Sequence, residues 1–170
     1  DKVEELEGDY QAYQYLLEAI KRDGVPYDLI SKSLPTVEGA VNDILAQVVD
    51  FSIVFSMNGK DIDTHIVYDD DRIWSLELSS GMERFISSLA IRIGLMNVSN
   101  LPQGNFLAID EGWGTMDSDN LNSVAQLFQY LKSQFQFTFV VSHIETMRDF
   151  VDTLLEIKKV DGSSSVRFSR

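Results

Sequence analysis

The sequence predicts an α/β fold, and three stretches carry that prediction. Phe106-Leu107-Ala108-Ile109 is an apolar run that ends abruptly in Asp110 and Glu111. Such a run suits a strand buried on both faces, with the two carboxylates emerging at its carboxyl end, where open α/β sheets place ligands. Phe137 to Ser142 is a second run of this kind and ends at His143, and Leu78-Ser79-Ser80-Gly81-Met82-Glu83 opens an apolar helix upstream of both. A metal ion and a nucleotide phosphate suit the end of the first strand. A buried strand followed by a charged turn is the alternative there.

A chain of 170 residues with 44% hydrophobic and 24% charged residues is long enough to bury a real core. No run approaches the length of a membrane span, and no signal peptide is visible. Without cysteine the chain has no disulfide framework and no thiolate metal site. The net charge of −13 argues against this segment being, by itself, the main electrostatic footprint on DNA. DNA contact would come from a local patch or from partner chains.

In chain order, Val3, Leu6, Tyr10, Tyr13, Leu17 and Ile20 recur at spacings of three and four. That is a heptad seam over residues 1–23, or else one amphipathic helix on a globular core. The start at Asp1 without Met suggests a fragment, an appearance that trimming also produces. Gly24-Val25-Pro26 stops the helix. A short helix from about Tyr27 is expected next, then another with Pro35 just inside its start and Val37, Val41, Leu45 and Val48 on one face. Phe51 to Met57 and Ile62 to Tyr68 read as strands joined at Asn58-Gly59, and Asp69-Asp70-Asp71 turns the chain into a third, Ile73 to Leu78. His65 reads as structural and the triple Asp as a solvated turn. The following helix carries Phe85, Ile86, Leu89 and Ile93, with Ser80 as its N-cap on the plain reading. Asn100 to Asn105 is a loop before the strand from Phe106. Asp117 could N-cap the helix bearing Leu121, Val124, Leu127, Phe128 and Leu131. Beyond His143, Met147, Phe150 and Val151 pack a short helix, and Thr153 to Val160 with Val166 to Ser169 form a closing hairpin around Asp161-Gly162-Ser163.

The order of serine-glycine helix start, strand with Asp-Glu, and strand with His resembles the C-terminal half of an ABC-type ATPase head. Asp110-Glu111-Gly112-Trp113-Gly114-Thr115-Met116-Asp117 is most similar to the SMC-related DNA repair ATPases, SbcC and the bacteriophage recombination-endonuclease ATPases among them. Ser79-Ser80-Gly81-Met82-Glu83 lies over the family's signature, with Met82 in place of its second glycine but still supplying an N–H.

The resemblance implies a sheet flanked by helices over residues 24–170, with residues 1–23 as the base of a returning coiled-coil helix. It implies ATP and Mg²⁺ as cofactors. Asp110 would position the metal, Glu111 would act as general base, and His143 would be the switch contacting the γ-phosphate. Ser80, Gly81, Met82, Glu83 and Asp117 would complete the nucleotide site, Asp117 across a dimer interface. The chain nowhere contains G-x-x-x-x-G-K-[ST], the phosphate-cradling loop, which in this family sits in the N-terminal half. The implied partners are therefore an N-terminal lobe, a second ATPase head as a homodimer, an SbcD-like nuclease and double-stranded DNA, with no membrane, in the cytoplasm near the nucleoid. An SMC-type tethering ATPase and, less well matched, an ABC transporter lobe are the competing readings. A non-ATPase interaction module is the blandest one.

Overall fold

The computed structural model describes residues 2–59, 61–69, 72–115 and 121–169. They belong to two compact units, Asp1–Pro102 and Gln103–Arg170.

The first unit starts with α1 (Lys2–Ile20), in which no residue is buried. All six residues of its apolar seam are more than half exposed. The expected boundary at residue 23 falls in the turn that follows. Gly24 caps α2 (Val25–Leu45), with Pro26 in its first turn. A Cβ on Gly24 would lie 2.5 Å from the carbonyl oxygen of Ala19, so this corner requires glycine. The two helices expected here are one helix that runs through Pro35. Pro35 is exposed, so solvent can satisfy the carbonyl its missing N–H would have bonded, while buried Val41, Ile44 and Leu45 hold the helix further on.

β1 (Ser52–Asn58), β2 (Asp61–Asp69) and β3 (Arg72–Ser75) form an antiparallel sheet in that order. The first hairpin closes with Asn58 opposite Asp61, and Gly59 takes the positive φ of +60° that its turn demands. The outer edge of β1 is sealed by α2 instead of by a fourth strand. Asn42 Oδ1 accepts from the Ile53 N–H at 2.8 Å and its Nδ2 donates to the Ile53 carbonyl at 2.9 Å, while Glu38 Oε2 accepts from the Phe55 N–H at 2.7 Å. Glu38 and Asn42 are one helical turn apart, which matches the two-residue repeat of the strand edge. His65 is half-buried mid-strand between Val54 and Ser75. Asp69 pairs with Arg72 at 2.8 Å, and the other two aspartates of the run lie outside the described residues. β3 ends at Ser75, short of the expected Leu78. Residues Leu76–Leu78 form a 3-10 turn instead, because Ser75 Oγ accepts from the Glu77 N–H and caps it.

α3 (Gly81–Val98) buries Met82, Ile86, Leu89, Ala90 and Ile93. It approaches α2 so closely that a Cβ on Gly94 would stand 2.6 Å from Val41 Cγ2.

In the second unit β4 (Phe106–Asp110), α4 (Leu121–Gln134) and β5 (Phe137–Val141) make a parallel β-α-β element. Asn105 sets its register: its carbonyl accepts from the Gln136 N–H at 2.8 Å and its Nδ2 donates to Gln136 Oε1 at 2.8 Å, which places Phe106 opposite Phe137. The expectation that β4 is buried on both faces is corrected here. Ile109 is buried, but Phe106 is 61% exposed and Ala108 is open to solvent, as are Phe137, Phe139 and Val141 on the same face. Two strands with one accompanying helix leave a face uncovered. The expected short helix after His143 is a 3-10 segment, Glu145–Phe150, with Met147 buried. β6 (Leu154–Val160) and β7 (Ser163–Ser169) pair as the expected hairpin, and Asp161 and Gly162 both take positive φ, as a two-residue turn of this twist requires. Arg148 and Glu156, at 2.8 Å, tie the 3-10 segment to β6.

Candidate functional site

The end of β4 brings three of the sequence-predicted residues together. The ladder with β5 continues past Asp110, opposite Val141, to a hydrogen bond of 3.0 Å from the Glu111 N–H to the Val141 carbonyl. That bond fixes Glu111 two residues from His143 on the neighbouring strand, and His143 Nδ1 lies 3.2 Å from Glu111 Oε1. In the Nδ1–H tautomer the ring donates to the carboxylate. Both side chains remain well exposed, at 75% and 62%.

Glu111 is also in the left-handed region, with φ of +60°, and Gly112 follows at +95°. A non-glycine residue there is held against its own preference, the kind of local strain that accompanies functional positions. The turn is anchored by Trp113, which is fully buried and stacks on Phe128 at 5.3 Å, itself stacked on Phe150 at 5.8 Å. Asp110 is exposed and makes no hydrogen bond or ion pair with another described residue. No group of three His, Cys, Asp or Glu side chains that could hold a metal occurs among the described residues. A single open carboxylate at a strand end fits Mg²⁺, which keeps most of its water and takes one or two carboxylates plus phosphate oxygens.

The other predicted residues lie at the N-terminus of α3, in the first unit. Ser80 is the N-cap and Glu83 completes a capping box: Ser80 Oγ accepts from the Glu83 N–H at 3.2 Å, and Glu83 Oε2 accepts from the Ser80 N–H at 2.6 Å. Gly81 and Met82 occupy the first turn, where N–H groups have no intrahelical acceptor. The plain N-cap reading of Ser80 and an anion-binding reading therefore coexist in one geometry. Met82 is 4% exposed, its side chain directed into the core and away from the exposed helix end. Both oxygens of Glu83 are engaged, since Tyr68 donates its hydroxyl hydrogen bond to Oε1. Burial raises the Glu83 carboxyl, but the bonds from Tyr68 and from Ser80 together outweigh it and hold the pKa below the ordinary value. Asp117 lies outside the described residues.

Sequence reasoning missed Tyr68 and Trp113. The second stands inside the Asp-Glu motif as its aromatic letter, and a tryptophan flanked by glycines next to a carboxylate pair is a signal for a buried anchor. The first carries no motif, because its position comes from a bulge.

No family profile matches the chain. It is 34% identical, over 91% of its length, to Uncharacterized protein R555 of Acanthamoeba polyphaga mimivirus, of which the match covers 13%. To the SbcC component of the nuclease SbcCD of Staphylococcus aureus it is 29% identical over 70% of its length and 12% of that component. The chain thus spans about an eighth of the length of the curated relatives it matches, 13% and 12%. Among solved structures, one from work on ATP-driven dimerization and DNA-stimulated activation of SMC ATPases superposes with a TM-score of 0.68 at 16% identity, covering 84% of this chain and 89% of that one. The Smc head domain of Pyrococcus furiosus with an extended coiled coil, bound to the C-terminal domain of ScpA, gives 0.64 at 18% identity over 99% and 42%. At these identities the structural likeness is one of fold.

Proposed function

We propose that the chain is an SbcC/SMC-like C-terminal head lobe and, as such, the catalytic half-site of an ATP-hydrolysing DNA repair or recombination ATPase, a reading supported by its likeness to SbcC and to SMC head domains. The observation that carries this reading is the Glu111–His143 contact of 3.2 Å at the end of a parallel strand pair, beside the open carboxylate of Asp110. In this reading ATP is held between two heads, whose closure and release govern DNA tethering and a partner nuclease of the SbcD kind. The complex works in the cytoplasm near the nucleoid, or in host cytoplasm for a phage protein. Among the described residues no helix is long and apolar enough to cross a membrane.

Each residue has a distinct task. Glu111 accepts a proton from the attacking water and orients it; phosphoryl transfer needs a positioned water and little covalent help. His143 holds the Glu111 carboxylate through Nδ1, which leaves Nε2 free to face the γ-phosphate. Asp110 would hold Mg²⁺, which when bound would supply neutralising charge for the phosphate oxygens. Ser80 with the N–H groups of Gly81 and Met82 receives the γ-phosphate of the opposite head, as helix N-termini receive anions. Glu83 belongs to that site as its cap, and Asp117 reaches across the interface. The bare apolar face of Phe106, Phe137, Phe139 and Val141 supports an N-terminal lobe as the partner that covers it and brings the phosphate loop. The exposed seam of α1 supports its role as the base of a coiled coil.

The test is Glu111→Gln in a head reassembled with the N-terminal lobe. Hydrolysis should fall by a factor on the order of 10² to 10⁴ while ATP still binds and closed dimers accumulate. Loss of nucleotide binding in that variant would instead make Glu111 a metal-holding or structural residue.

A further inference from the structure

The signature end of α3 is held from outside its own helix. Tyr68 is the extra residue of a β-bulge: β2 and β3 pair Val67 with Ile73 and then Asp69 with Arg72, so one residue on β2 has no opposite number. Bulges re-aim the side chain they carry. Here Tyr68 points its hydroxyl at Glu83 Oε1, while the other oxygen of the same carboxylate accepts from the Ser80 N–H at 2.6 Å. The ring cannot easily swing away. It lies 5.5 Å from Phe51 and 5.4 Å from Trp74, and the Arg72 guanidinium sits 5.4 Å from its centre, fixed in turn by Asp69. One carboxylate therefore ties the helix N-cap to a sheet that supplies none of the predicted site residues.

We infer that Tyr68 is a positioning residue for the phosphate-receiving end of α3, acting through Glu83 to fix the direction of the Ser80 hydroxyl and the first N–H groups of the helix. The inference rests on the reading of Ser80 as the serine that meets the opposite head's nucleotide. With Glu83 clamped on both oxygens, the Ser80 hydroxyl accepts from the Glu83 N–H at 3.2 Å and turns its own hydrogen toward the Glu83 carboxylate, so the carboxylate sets its direction. Released from Tyr68, Glu83 can leave its rotamer, the cap loosens, and the phosphate meets donors that must first be ordered. Burial and the bond to Glu83 raise the Tyr68 pKa to about 12, so it stays a donor throughout the physiological range.

Tyr68→Phe removes the hydroxyl and keeps the ring with its aromatic neighbours. Two readouts follow, both on the chain joined to its phosphate-loop lobe. Amide hydrogen exchange at Ser80 should quicken on the order of tenfold, as expected for loss of one charge-assisted bond, while Ile93 in mid-helix is unchanged. ATP-driven head dimerisation should weaken severalfold with ATP affinity of the separate head unaltered, a split that general destabilisation would not give. Ser80→Arg, measured alongside, should abolish dimerisation. Exchange at Ser80 within twofold of the parent would overturn the inference. So would faster exchange with unchanged dimerisation in a head that Ser80→Arg disables. If Ser80→Arg itself left dimerisation intact, the signature reading would fall and the inference with it.

Discussion

Glu111 stands in a conformation that costs stability, and replacing it with glycine should expose that cost. A left-handed residue with a Cβ is disfavoured by about 1–2 kcal/mol, and Glu111 has φ of +60°. Against the relief stand two losses. Glycine widens the unfolded ensemble, by about 0.5–1 kcal/mol. The contact with His143 joins two exposed side chains, and such pairs are worth about 0–1 kcal/mol. The terms nearly cancel, so Glu111→Gly should leave stability within about 1 kcal/mol of the parent although a charged side chain and its contact with His143 are removed. Glu111→Gln keeps the strained backbone and the side-chain length, so the difference between the two variants is the strain less the entropy cost of glycine. Urea denaturation followed by circular dichroism, with the m-value checked for constancy, measures both. Hydrolysis in the reassembled head should be lost in each. A Glu111→Gly chain less stable than Glu111→Gln by about 0.5–1 kcal/mol or more, the glycine entropy cost with no relief against it, would refute the claim that this backbone is strained.

Three further outcomes are expected. Asn42→Ala strips the Ile53 N–H and carbonyl of their partners on α2, and a loss of about 1–3 kcal/mol should appear in denaturant titrations; a loss under about 0.5 kcal/mol would mean water seals the strand edge equally well. Gly94→Ala gains about 1 kcal/mol of helix propensity but sets its Cβ 2.6 Å from the buried, stiff Val41, so the chain should be destabilised by about 1–2 kcal/mol overall, and a stabilised variant would show slack between α2 and α3. Tyr68 has a raised pKa of about 12, so its contribution is full below its ordinary value near 10 and is lost as pH rises through the folded value. Glu83 is depressed, so its contribution is present above the ordinary carboxylate range and is lost as pH falls through its lower folded value. Tyr68→Phe should abolish the alkaline loss, and an unchanged alkaline limb would contradict the Tyr68–Glu83 link.

Much of this chain could be read from its letters because local chemistry decided the outcome. The Asn58-Gly59 and Asp161-Gly162 turns, the alternation along β2, the capped start of α3 and the two runs ending at Asp110 and Ser142 each depend on a few neighbouring residues. Misreadings arose where tertiary context overrode local preference. Pro35 stays inside α2 because buried Val41, Ile44 and Leu45 hold the helix. Phe106 looked like a core residue, since an apolar letter does not tell which face has a partner. The Glu111–His143 contact was accessible only through family resemblance, because 32 residues separate the two and the strand register brings them together. Tyr68 could not be found at all, since a bulge depends on how two strands slip against each other. The direction of Met82 was equally hidden: a methionine in a glycine position looks obstructive until its side chain is seen to turn into the core.

The most direct measurement of the central claim is steady-state ATP turnover by the chain alone, by an N-terminal lobe carrying a phosphate loop, and by the two mixed at equal concentration, with Mg²⁺ present. Either part alone should show negligible turnover, and the mixture should recover turnover that vanishes with Glu111→Gln. Robust hydrolysis by the 170-residue chain alone, or a mixture indifferent to Glu111→Gln, would contradict that claim.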